Sequence, residues 1–155
     1  MNWDRLELEI DLVAPVKVVA WHWTSSAGLT RWLAVECTFV GLEGDTLAEA
    51  EAAETGARFR CLRAGGTIEE GELVQADKRG FAFGFADGSR IDLRLLSRKG
   101  RTALAFRHVT PGAAFEDYCD NLRSWTFYLT NLKSIVEGGL DLRELEPDRT
   151  GLVNV

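Results

Sequence analysis

Apolar residues recur at alternating steps of three and four through Phe115, Tyr118, Leu122, Trp125, Leu129, Leu132 and Val136, the signature of one face of an α-helix. Cys119, Phe127, Tyr128 and Ile135 widen this stripe, while Glu116, Asp117, Asp120, Arg123, Ser124, Thr130, Lys133 and Ser134 fill the other side. At 1.5 Å per residue the helix would run roughly 33 Å, too long for one short partner helix and suited to crossing a wide sheet.

A different period governs the start of the chain. Leu6, Leu8, Ile10 and Leu12 alternate with Glu7, Glu9 and Asp11, which predicts a strand with one wet face that ends at Pro15. Pro15 to about Thr24 then reads as a helix with proline in its first turn, and about Ala27 to Leu33 as a second short helix that the hydroxyls of Thr24, Ser25 and Ser26 can cap. Val35 to Val40 predicts a strand. The stretch Thr46 to Glu54 combines high helix propensity with a capping-box spacing, Thr46 to Glu49, and is left open. Strands follow over Ala57 to Arg63, Ile68 to Asp77, Phe81 to Ala86, Ser89 to Ser97 and Arg101 to Thr110. Turn signals at Gly65-Gly66, Lys78-Arg79-Gly80, Asp87-Gly88 and Arg98-Lys99-Gly100 join them into an antiparallel meander. Phe81, Phe83 and Phe85, then Ile91, Leu93 and Leu95, then Thr102, Leu104, Phe106 and His108 share parity, so one face of the sheet is apolar and aromatic. Gly138-Gly139 ends the long helix, and a polar tail runs from Leu140 to Val155. The order predicts an α+β domain: a curved antiparallel sheet wrapped around a long C-terminal helix, with two short helices after the first strand.

Composition narrows the class. A chain of 155 residues with 46% hydrophobic and 27% charged residues fits one globular domain with one core. No run approaches the roughly 20 apolar residues of a bilayer span, and the N-terminus has no basic region followed by an apolar stretch, so a cytoplasmic location is expected. The net charge of −6 disfavours nucleic acid and anionic membrane as partners. Cys37, Cys61 and Cys119 show no CxxC or zinc-like spacing, and their odd number argues against a disulfide framework; they read as small buried hydrophobes.

Ala14-Pro15-Val16-x-x-Val19, Thr24 and Gly28-Leu29-Thr30-x-Trp32 resemble the helical entry of the START-like superfamily, also called SRPBCC, in the branch similar to the C-terminal domain of the activator of the Hsp90 ATPase. Thr102-x-Leu104-x-Phe106-x-His108, Trp125-x-x-Tyr128-Leu129-x-Asn131-Leu132-Lys133 and Gly138-Gly139-x-Asp141-Leu142-Arg143 resemble its closing strand and helix. The similarity spans about residues 5 to 143, which gives a single domain over 1–143 and a tail over 144–155. It implies a helix-grip fold with a cavity between helix and sheet, but no single activity: members of the superfamily bind lipids, hormones or polyketide intermediates, some are cyclases, and the branch takes its name from a chaperone regulator.

Candidate chemistry follows from the parity of the strands and the helix stripe. Phe83, Phe85, Leu93, Leu95 and Phe106 would form one wall of the cavity, with Tyr118, Leu122, Trp125 and Leu129 facing them, a lining suited to flat apolar ligands. His108 shares the apolar face near the end of the last strand, where a neutral imidazole can hydrogen-bond a ligand or act as a base. Its structural alternative is a histidine tethered to backbone at the sheet edge. Tyr118 is the phenol expected nearest His108. Cys119 can approach His108, although a thiol on an apolar stripe stays protonated. His22 lies between two tryptophans, and two histidines without placeable carboxylates predict no metal site. No nucleophile-elbow, Walker or dinucleotide fingerprint is present, no cofactor is expected, and no catalytic residue is assigned. Lys78-Arg79 and Arg98-Lys99-x-Arg101 should fall at one end of the meander as a basic rim, able to attract an anionic head group or to keep the hairpins soluble. The expectation is a domain that holds a small apolar or amphipathic molecule. Its alternatives are a protein-interaction module similar to the chaperone-ATPase activators, a cyclase-like or hydrolase-like enzyme, and, as a further partner, a second copy in a homodimer.

Overall fold

The structure, a computed structural model, describes residues 2–143 and 145. Ten elements follow the predicted order: β1 (Arg5–Leu12), α1 (Val16–Thr24), α2 (Ser26–Trp32), β2 (Glu36–Val40), β3 (Arg58–Leu62), β4 (Ile68–Asp77), β5 (Gly80–Phe85), β6 (Arg90–Arg98), β7 (Arg101–Val109) and α3 (Phe115–Val136). The strands form one antiparallel sheet in the order β1-β7-β6-β5-β4-β3-β2, so the first strand returns to pair with the last. Strand alternation places Leu6, His108, Ile91, Phe83 and Leu73 in one row across five strands, and Leu8, Phe106, Leu93 and Phe81 in the next. Both rows belong to the apolar face that the alternation of the sequence predicts. Between Leu73 and Gln75 the β4–β5 register shifts by one residue, a bulge that bends the sheet locally.

The two short helices close one end of this face. Pro15 stands at the N-cap of α1, and its carbonyl accepts from Val18 N–H (3.0 Å) and Val19 N–H (3.1 Å). Its own missing N–H is no loss at a helix start. Ser25 Oγ accepts from Gly28 N–H at 2.9 Å and so caps α2. Gly28 is required there by close approach: a Cβ would lie 2.4 Å from the Trp21 carbonyl oxygen and 2.7 Å from the His22 Cα. Trp23 and Trp32 leave these helices as the two largest fully buried side chains and meet edge to face at 4.6 Å.

The open stretch after β2 contains no helix. Thr46 forms an isolated bridge with Val40, and the capping-box spacing starts nothing. The backbone groups of the segment are spent on its neighbours: Ala27 N–H donates to Glu49 O (2.8 Å), Ala53 N–H to Thr24 O (2.7 Å) and Trp21 Nε1–H to Ala50 O (3.0 Å). A helix over the same residues would withdraw those carbonyls and leave the α1–α2 corner without partners.

α3 has the bounds that the periodicity predicts. Its first turn carries Glu116 and Asp117 against the positive end of the helix dipole, and Asp117 Oδ2 accepts from Ala114 N–H at 2.9 Å. After Gly138 the chain does not leave as a free polar tail. Asn131 is fully buried; its Nδ2–H donates to Trp32 O (2.9 Å) and Asp141 Oδ1 (3.0 Å), and its Oδ1 accepts from Leu142 N–H (2.7 Å). Arg143, also buried, donates to Ala34 O (2.9 Å), Thr30 O (2.9 Å) and the Asp141 carboxylate. Residues 141–143 therefore clamp α3 to α2, and the expected tail over 144–155 lies outside the described residues apart from Leu145. Truncating Asn131 to Ala strips the Trp32 carbonyl and the Leu142 N–H of this buried partner, so Asn131→Ala is expected to cost about 2–4 kcal/mol, read as a lowered urea midpoint with unchanged slope.

Candidate functional site

Between the first half of α3 and the β3–β7 part of the sheet the core opens into a cavity of about 640 Å³. Phe85, Ile91, Trp125 and Tyr128 supply its apolar wall, and Arg63, Glu69, His108, Thr110 and Asn121 its polar one, with Asp87, Asp117, Asp120 and Arg123 also on the lining. It lies at the end of the sheet that carries the β5–β6 turn.

Arg63 was not anticipated. It follows β3 on the inner face, two residues beyond Cys61, and is only 9% exposed. Its guanidinium sits 4.3 Å over the Tyr128 ring and 5.8 Å from the Trp125 ring, and Nη1–H donates to Glu69 Oε1 at 3.1 Å. Two aromatic faces and one carboxylate thus offset the loss of water around the cation. Its Nε–H, buried as well, has no partner among the described residues. His108 has the same character. Nδ1 is buried without a partner among the described residues, Nε2 lies a long 3.5 Å from Thr110 Oγ1, and the ring stands edge-on to Trp125 at 6.0 Å. Burial lowers the His108 pKa below its ordinary value, with the Asp87 carboxylate opposing the shift. The imidazole is accordingly neutral at pH 7, one nitrogen a donor and the other an acceptor.

Phe85, His108 and Trp125, three of the side chains that sequence parity selects, line the cavity together. Phe83, Leu93, Leu95, Phe106 and Leu129 do not: they are buried in the filled part of the core, where Trp23 packs against Phe83 (6.2 Å), Phe106 (6.4 Å) and Trp125 (6.4 Å). Leu122 packs against that core, and Tyr118 turns to Trp3 at 5.4 Å. The phenol on the cavity wall is Tyr128, not Tyr118. Cys119 is off the lining. His22 is structural: its Nδ1–H donates to Val18 O at 2.7 Å and its Nε2 accepts from Arg31 Nη1–H at 2.9 Å. No group of metal-ligating side chains occurs among the described residues. The basic turns at 78–79 and 98–101 do share one end of the sheet, but it is the end away from the Asp87 turn, so they cannot guide a head group to this opening.

A second depression, about 1230 Å³, spreads over β1 and β4–β7. Arg107 Nε–H pairs across it with Glu7 Oε1 at 3.1 Å, and none of the buried polar atoms without partners among the described residues lies on its lining. Arg63 and His108, which hold two of those buried unpartnered atoms, line the smaller cavity instead.

No family model and no curated protein matches the chain. Solved structures do. The Aha1 protein of Colwellia psychrerythraea, described as a dimer in solution, aligns with TM-score 0.67 and 17% identity over 87% of this chain and 97% of its own. The AHSA1-like protein of Aeromonas hydrophila aligns with TM-score 0.60 and 16% identity over 86% and 93%. CalU16 of Micromonospora echinospora aligns with TM-score 0.66 and 19% identity over 89% and 77%. The protein therefore shares the helix-grip fold of these structures. The likeness extends over most of each chain, and at 16–19% identity it is one of fold. No helix among the described residues is long and apolar enough to cross a membrane.

The depressed His108 pKa fixes a pH dependence. The unfolded chain takes up the proton near the ordinary value of 6.5, the native imidazole only at lower pH. Below about 6.5 the unfolded state therefore binds more protons, and stability falls with pH until native His108 is charged. His22, also lowered by burial, acts with the same sign. Urea midpoints measured from pH 7 to pH 5 should decline, and the decline should be shallower in His108→Asn. In NMR titrations the Asp87→Asn variant should move the His108 pKa further down.

Proposed function

We propose that the protein binds a small planar molecule in the cavity between α3 and the sheet, and that the molecule is uncharged with an acceptor oxygen. The observation that carries this is Arg63: a cation nine-tenths buried on the cavity lining, backed by Tyr128 and Glu69, with a buried Nε–H that no described residue satisfies. A buried donor without a partner costs about 1–3 kcal/mol, a cost that a bound acceptor recovers. His108 Nδ1 offers a second unspent polar position on the same wall. Phe85, Ile91 and Trp125 supply apolar surface for a flat body.

Charge selects against anions. Glu69, Asp87, Asp117 and Asp120 outnumber Arg63 and Arg123 on the lining, so a free carboxylate or phosphate would meet net repulsion. A neutral carbonyl or hydroxyl compound meets none. His108, neutral and beside the cavity with the Thr110 hydroxyl 3.5 Å from its Nε2, would orient such a ligand, and the reading is of a binding protein.

Native mass spectrometry of protein purified without denaturation, with Nile red as a neutral planar carbonyl probe, tests this. Nile red should bind with a blue-shifted emission. Asn121→Trp, which places an indole on the cavity wall from the surface of α3, should abolish binding while the protein stays folded. The paired variant Arg63→Met with Glu69→Gln, which leaves no buried charge behind, should weaken binding about tenfold. Undiminished binding by Asn121→Trp would place the dye elsewhere and reject the proposal.

A further inference from the structure

Cys37 on β2 and Cys61 on β3 stand directly opposite each other in the antiparallel ladder. The type of site follows from the bonds on the other side of β3. Arg63 N–H donates to Thr67 O (2.8 Å) and Leu73 N–H to Ala57 O (2.8 Å), so the odd-numbered residues of this strand turn their backbone groups to β4. Cys61 is one of them, and toward β2 the Cys37–Cys61 pair is a non-hydrogen-bonded one. At such pairs the Cα atoms lie about 4.5 Å apart and the side chains are at their closest, inside the range of about 4.4–6.8 Å that a disulfide spans. Both thiols are free. Cys61 is buried and Cys37 half-buried on the edge strand, so a reagent reaches Cys37 first. A hydrogen bond with Cys37 is also the largest cause of the raised Cys61 pKa, as expected of two sulfurs in contact.

We propose that Cys37 and Cys61 close reversibly into a cross-strand disulfide that sets the position of the Arg63–Glu69 pair. The oxidant is a low-molecular-weight disulfide. The Cys37 thiolate attacks one of its sulfurs, forming a mixed disulfide and releasing one small thiol. The Cys61 sulfur then attacks the Cys37 sulfur, expelling the second small thiolate, which takes the Cys61 proton. Two protein S–H bonds and one small S–S bond become one protein S–S bond and two small S–H bonds; the protein loses two electrons and the small disulfide gains them. The link to the cavity is one of adjacency. Glu69 is the β4 partner of Cys61, and Arg63, which Glu69 holds at 3.1 Å, is the next inward residue on the same chain. Bridging the strands at 37 and 61 also closes a loop around the irregular segment that covers α1 and α2.

The full chain is equilibrated with glutathione disulfide, its remaining thiols are alkylated, and the products are read by intact mass and peptide mapping. The expected product carries one alkyl group, at Cys119, and joins the peptides of Cys37 and Cys61; dithiothreitol reverses it. Cys119→Ser should leave the bridge intact, and Cys37→Ser, at the half-buried edge position, should prevent it in a folded protein. Three alkylated thiols, or a glutathione adduct that persists on Cys37, would overturn the proposal. Coupling to the cavity rests on the binding function proposed above, and Nile red affinity of the two forms should differ about fivefold or more. Equal affinities would overturn the coupling, whereas no binding by either form would overturn the cavity reading and leave the disulfide to stand on its mass.

Discussion

Trp125 is the side chain on which both halves of the interior depend. One side of the indole closes the filled core, against Phe106 at 4.7 Å and Trp23 at 6.4 Å; the other meets the Arg63 guanidinium and the His108 ring at the cavity. Toward Trp23 and Trp32, aromatic rings fill the space between sheet and helices. Toward the start of α3 the next rings, Tyr118 and Phe115, turn to Trp3 instead (5.4 and 4.8 Å), and the shorter Asn121, Ser124 and Asp117 come next on the lining, Asn121 Nδ2–H donating to Thr110 Oγ1 at 3.4 Å. The cavity is thus where short polar side chains replace large apolar ones on the part of the helix that faces it.

That boundary explains why a cation is tolerated so deep. An arginine in an apolar core without compensation would be expelled or would unfold its surroundings, because desolvation of the charge costs several kcal/mol. Here Glu69 lies across the β3–β4 hairpin and its side chain is one-third exposed, so the pair is only partly withdrawn from water. Tyr128 presents its ring face to the side of the guanidinium that the carboxylate leaves free. The arrangement satisfies the charge but not every N–H, and the remainder is what a ligand can use. His108 is neutral for the same reason that Arg63 stays charged: an imidazole can shed its proton when buried and a guanidinium cannot.

The sequence carried the fold well because each element has its own period. α3 was legible to the residue, since an apolar repeat of 3.6 over twenty-two positions admits no other structure. The meander was legible from turn glycines and period-two parity. The segment between β2 and β3 was not, because its conformation is dictated by hydrogen bonds to α1 and α2 that no local pattern encodes. For the site, parity correctly put Phe85, His108 and Trp125 on one surface, but it could not say where filling ends and space begins. Arg63 was invisible for a related reason. Its inward parity was readable from Phe59 and Cys61, yet a charged residue at the end of a strand ordinarily points to water, and only the tertiary partners Glu69 and Tyr128 reverse that.

The Cys37–Cys61 pair marks the same limit more sharply. Counting cysteines and spacings addresses pairs close in sequence or frameworks of many bridges; a single cross-strand pair depends on register, and register across β2 and β3 is set by the whole sheet. A slip of one residue would turn Cys61 to the opposite face together with Phe59 and Arg63, taking the cation out of the cavity and an aromatic ring out of the core. The burial of Phe59, whose ring packs against Phe39, Phe83 and Phe85, forbids that slip. Apolar packing at one position therefore holds three inward positions in place at once: Phe59 in the filled core, Cys61 opposite Cys37, and Arg63 on the cavity lining.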